Sequence, residues 1–135
     1  MTKTAVKIDD KYTQDEGRIY ISSNQALVRL PMMQRQRDLA AGLNTAGYIT
    51  GYRGSPLGIY DSNLWAASAL LKENHIRFQS GVNEELALTS IRGTQWLHYY
   101  QQAKYQGIFA IWYAKNLGVD RGLVGLEGGL ILAYQ

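Results

Sequence analysis

The chain has 135 residues, 46% hydrophobic and 19% charged, a composition that suits one domain with one core and excludes a disordered tail. Its net charge of +3 comes from scattered Lys and Arg rather than a block, so no nucleic-acid partner is expected. It contains no cysteine, which excludes disulfides, thiolate zinc sites and cysteine-ligated iron–sulfur clusters within these residues. No run approaches the roughly 18 apolar residues of a membrane span, and no apolar signal core follows Met1, so a cytoplasmic protein without a membrane partner is expected.

Residues 1–17 are polar and read as an extended N-terminal arm. RIYIS, residues 18–22, alternates enough for a short strand, and Ser23 or Asn24 can cap the helical run that follows. Pro31 interrupts that run. The residues predict either a kinked helix or, preferably, a second helix with Pro31 in its first turn, carrying Leu39, Leu43 and Ala46 on one face and stopping at Gly47. Arg29, Arg35 and Arg37 are expected on its wet face.

From Tyr48 onward the pattern is α/β. YITGY (48–52) reads as a strand and RGSPLG as a loop; a helix follows from Asp61, its N-cap candidate, to Glu73. IRFQ (76–79) is a second strand, and VNEELALTSIRGTQWLHYY a helix whose Leu86, Ser90, Gly93 and Leu97 share the face expected against the sheet. GIFAIWYA (107–114) is an almost continuous apolar run, as expected of a central strand covered on both sides. The alternation predicts an α/β fold, a parallel sheet flanked by helices, over residues 18–121. Residues 122–135, GLVGLEGGLILAYQ, form a divergent apolar tail that needs a partner to cover it.

Ligands of open parallel sheets bind beyond the carboxyl ends of the strands, which selects three loops: RGSPLG, SGVNEE and KNLGVDR. Gly54, Ser55 and Pro56 of the first loop form either a tight turn or a place where backbone and a hydroxyl approach a ligand. Glu84 and Glu85 either complement the helix macrodipole and cap its amides or serve a pocket. Neighbouring helical positions point about 100° apart, so the two acids cannot share one job; Glu84 is the pocket candidate and Glu85 the solvated one. His75 and His98 lack metal-ligand spacing, so no metal site is expected, and no nucleophile elbow is present. Asp120 and Arg121 read as a surface ion pair.

LVRLPMMQRQRDLAAGLNTAGYITGYRGSPLGIYD, HIRFQSGVNEELA, AKYQGIFAIWY and GVDR follow one another between about Lys11 and Arg121. Together they resemble the N-terminus of the long, fused form of indolepyruvate ferredoxin oxidoreductase, one of the thiamine diphosphate-dependent 2-oxoacid:ferredoxin oxidoreductases. The resemblance implies an incomplete pyrimidine-binding domain. In such enzymes a sheltered glutamate hydrogen-bonds the ring nitrogen N1′ and favours the imino form that activates the thiazolium. The arylpyruvate is then decarboxylated, electrons pass through iron–sulfur clusters to ferredoxin, and coenzyme A takes the acyl group.

By resemblance Glu84 is the N1′ glutamate, Gly54, Ser55 and Pro56 face the cofactor, and Arg53 meets the substrate carboxylate. Where the family reads closer to YGKGPGVDR this chain has YAKNLGVDR, so Ala114, Asn116 and Leu117 depart from the pattern near the site. The resemblance implies that the magnesium-diphosphate and iron–sulfur domains lie outside this stretch, leaving an N-terminal fragment inactive alone. Two other readings stay open: a non-catalytic subunit or interaction module completed by a partner chain, and a decayed gene product.

Overall fold

The computed structural model describes residues 7–54, 58–115, 117–120 and 122; Ser55, Pro56, Arg121 and the tail segment 123–135 lie outside them. Three strands, β1 (Thr45–Tyr52), β2 (Ile76–Gly81) and β3 (Gly107–Tyr113), form a parallel sheet in the order β2-β1-β3. β1 runs in register with β2 to Tyr52↔Gly81 and with β3 to Gly51↔Tyr113, so the three carboxyl ends lie level.

A short helix α1 (Asp10–Thr13) precedes α2 (Ser23–Ala40), which packs on β1 and on α3 (Gly58–Ala66); α4 (Ser68–Glu73) packs on β2. These helices share one core with Ile49, Phe78 and Ile111, which the register aligns across one sheet face. Side chains alternate along a strand, and Tyr48, on the other face, donates its hydroxyl to Ser90 of α5 (Glu84–Thr94) at 3.0 Å. The fold is therefore α/β, a parallel sheet flanked by helices.

The apolar run GIFAIWY is not the central strand. Residues 46–51 of β1 are all buried, whereas β3, at an edge among the described residues, is half-buried from Gly107 to Trp112. β1 looks less apolar because two of its residues must be small. A Cβ at Gly47 would stand 2.7 Å from Phe109 Cε2 and 2.8 Å from Ile76 Cγ1, and one at Gly51 would collide with the Tyr113 ring. The large side chains of both neighbouring strands lean over these bare positions.

Helix α2 runs unbroken through Pro31, so the second helix expected there does not exist. Proline removes the amide that would bond the carbonyl four residues back, at Leu27; that carbonyl accepts the Tyr60 hydroxyl instead, in a long bond of 3.5 Å. Ser22, not Ser23 or Asn24, caps the helix in a reciprocal box with Gln25. The helix ends at Ala40, where Gly42 turns at φ +78 and Leu43 N–H reaches the Asp38 carbonyl at 2.8 Å; Gly47 is mid-strand and not its stop.

Further expectations are corrected. RIYIS forms no strand, and Tyr20 is fully exposed. The N-terminal stretch is not a free arm in its described part: Tyr12 is buried, and Arg29 donates to the Lys11 and Gln14 carbonyls. Of the three arginines placed on the wet face, only Arg37 is exposed; Arg35 is 5% accessible and bonds Asn44 Oδ1 at 3.1 Å, while its Nε and Nη1 have no partner among the described residues. Asp61 is no N-cap, lying fully buried inside α3. On α5 the buried residues are Ala87 and Leu88, whereas Leu86 and Gly93 point outward.

Candidate functional site

The site is assembled where the sheet ends. The Gly81 turn from β2 into α5 is tight, since a Cβ there would lie 2.7 Å from Ala87 Cβ and 3.2 Å from the Gly51 carbonyl. Asn83 then caps α5, its Oδ1 accepting the Leu86 amide at 2.8 Å. Because Asn83 performs the capping, the carboxylates of Glu84 and Glu85 are left for other partners. Glu84 is half-buried and Glu85 exposed.

The opposite wall follows β3. Gly118 and Val119 donate their amides to the Lys115 carbonyl at 2.8 and 3.0 Å, starting a helical turn that brings Gly118 against the Glu84 side chain. A Cβ at Gly118 would stand 2.8 Å from Glu84 Cδ and 2.9 Å from its Cβ, so only glycine permits this approach. Asn83, Glu84, Glu85, Leu117 and Gly118 line an open cleft of about 170 Å³. The amino end of α5 borders it, with Glu84 and Glu85 in the helix's first turn.

Of the candidates read from sequence, Glu84 lines the cleft, but so does Glu85, which is exposed as expected and yet not turned away from it. Arg53 and Gly54 are exposed just beyond β1 and are not among the lining residues; Ser55 and Pro56 fall outside the described residues. Among the described residues no three His, Asp or Glu side chains gather as for a metal ion, and no helix is long and apolar enough to cross a membrane.

Sequence reasoning missed the two residues that frame Glu84, Asn83 and Gly118, although both stand in the stretches GVNEELA and GVDR. It also missed a buried polar cluster beneath the strand ends. Asp61 Oδ1 accepts the Tyr113 hydroxyl at 2.6 Å and the Ser80 hydroxyl at 3.4 Å, and the Tyr60 ring meets Tyr113 edge-on at 5.2 Å between centroids. Burial foremost, then the hydrogen bond to Asp61, push the Tyr113 phenol up from its ordinary range; burial pushes Tyr60 to about 12. The signal was available: Tyr60, Asp61 and Leu64 share one helical stripe, so an acid stands among core positions. Comparison with known proteins finds no matching family model, no matching curated protein and no matching solved structure.

Proposed function

We propose that this chain is the N-terminal part of a thiamine diphosphate-dependent 2-oxoacid:ferredoxin oxidoreductase of the indolepyruvate type, with Glu84 as the acid that holds the aminopyrimidine ring. The observation that carries the reading is a half-buried glutamate, relieved of capping by Asn83 and packed against a glycine in a cleft beyond the sheet's carboxyl end. Such a position is where open parallel sheets take their ligands.

The residues fit a flat heteroaromatic ring with a hydrogen-bonding nitrogen. Glu84 would share a proton at ring nitrogen N1′, bare Gly118 would let the Glu84 side chain pack closely and hold its carboxylate in place, and Leu117 would cover an apolar edge. When bound, the cofactor supplies the nucleophilic carbon that attacks the 2-oxoacid. The cleft's roughly 170 Å³ is below the roughly 300–1,000 Å³ of sites that enclose a whole small ligand, so the diphosphate half needs other surfaces. Val82, Leu86 and Leu117 are exposed apolar residues around the same rim, which supports completion of the site by a further domain or a partner chain. Coenzyme A, ferredoxin and an arylpyruvate belong to that completed enzyme.

Thiamine added to the ¹⁵N-labelled chain tests the reading. Amide shifts confined to Asn83, Glu84 and Gly118, weakened about tenfold or more in affinity by Glu84→Gln, are expected, because a hydrogen bond to a charged group contributes about 1.5–3 kcal/mol. Shifts elsewhere, or none at millimolar thiamine, would refute it.

A further inference from the structure

Asp61 is not among the residues that line that cleft, yet it bonds residues of both strands that lead to the cleft walls. Its carboxylate is completely buried, and one oxygen gathers the last residue of β3, Tyr113, and the penultimate residue of β2, Ser80. The other oxygen, Oδ2, has no partner among the described residues. Burying a carboxyl group is costly unless its bonds are good, and an apolar side chain of similar size would hold a core at least as well. A buried acid of this kind is explained by the geometry it imposes.

That geometry leads directly to both walls. Ser80 lies four residues before Glu84, with the tight Gly81 turn and the Asn83 cap between them; Tyr113 lies five residues before Gly118, with the Lys115 helical turn between. The Tyr113 ring reaches α3 by crossing bare Gly51 in the central strand, and Tyr60 braces it edge-on. Groups facing Asp61 are therefore Ser80 from β2, Tyr113 from β3 and Tyr60 beside it on α3.

We infer that Asp61 is a positioning residue: by tying Tyr113 and Ser80 to one oxygen it sets the separation of the two cleft walls and so seats Glu84 against Gly118. The inference rests on reading that cleft as the functional site, but its primary readout needs no ligand.

The experiment compares wild type, Tyr113→Phe, Asp61→Ala and Asp61→Asn by NMR. It follows the nuclear Overhauser contact between the Glu84 side chain and the Gly118 α-protons, with a Gly47–Phe109 contact as control. Tyr113→Phe and Asp61→Ala should reduce the cleft contact several-fold and leave the sheet contact unchanged. Asp61→Asn retains the accepting Oδ1 and should restore the cleft contact. An undiminished Glu84–Gly118 contact in Tyr113→Phe overturns the inference, and this milder variant decides the matter if Asp61→Ala does not fold. A parallel loss of both contacts overturns it too, because it would mark a purely structural role. Thiamine shifts recorded on the same samples separate the two ideas: a wild type that shows the contact but ignores thiamine refutes the cofactor reading alone.

Discussion

Replacing Gly118 by alanine separates the fold from the site. The new methyl carbon would stand 2.8 Å from Glu84 Cδ and 2.9 Å from Glu84 Cβ, far inside ordinary contact. Overpacking of this kind costs about 1–3 kcal/mol, yet Gly118 sits in a helical turn with no positive φ, where alanine is favoured over glycine by about 1 kcal/mol. The two effects leave a net destabilisation of about 0–2 kcal/mol, a downward shift of about 0–7 °C in thermal midpoint. Glu84 can turn out of the cleft to free Cγ and Cδ, while its Cβ, fixed to the backbone, requires a small shift of the turn as well. Thermal unfolding should therefore look nearly normal while thiamine-induced shifts at Asn83 and Glu84 weaken at least tenfold. Wild-type thiamine shifts in a variant of wild-type stability would refute the packing of Glu84 on Gly118. A loss of 4 kcal/mol or more would show that the turn itself cannot move.

Arg35→Met should leave stability unchanged or raise it by about 1–3 kcal/mol, since the guanidinium is buried with only the Asn44 bond and two free donors among the described residues; urea midpoints measure this, and a loss above about 2 kcal/mol would reveal an acceptor outside them. Alkaline pH should weaken the fold. Tyr60 is raised to about 12 and Tyr113 is raised as well, so both keep their protons in the folded state above pH 10, where the unfolded chain loses them. The stabilisation is complete below pH 10 and disappears as pH rises through 12; Tyr60 alone accounts for at most about 2.7 kcal/mol, two units at about 1.36 each. Urea midpoints at pH 9 and 11 should differ less in Tyr60→Phe than in wild type, and identical differences would contradict the assignment.

Much of the α/β order was readable because helix and strand periods differ and loops carry glycine. YITGY and IRFQ both fall within observed strands; the single helix expected from Asp61 to Glu73 is instead two, α3 starting at Gly58 and α4 stopping at Glu73 as expected. The failures share a cause: local patterns do not count partners. RIYIS alternates like a strand but has no neighbour to pair with, and Pro31 breaks no helix because Tyr60, 29 residues away, takes up the carbonyl it strands. Arg35 looks like a surface charge from its spacing, yet α2 packs on β1 and turns that side toward Asn44, just before the strand.

At the site, the turn of about 100° between Glu84 and Glu85 holds for any helix and leaves one half-buried and the other exposed, yet both line the cleft, which spacing alone did not foresee. The strand and helix alternation did identify the loops beyond the carboxyl ends, because parallel strands joined by helices leave their loops at one end. Pairing GVNEELA with GVDR across a cleft required the order β2-β1-β3, which carries α5 over the central strand and sets two segments 34 residues apart face to face. Asp61 makes the same distinction sharper. Its chemistry is written in the sequence, but its role depends on Ser80 and Tyr113, 19 and 52 residues away, converging on a single oxygen. Periodicity is local and survives in one dimension; which strand lies beside which, and which acid is left without water, is decided only when the sheet closes over its core.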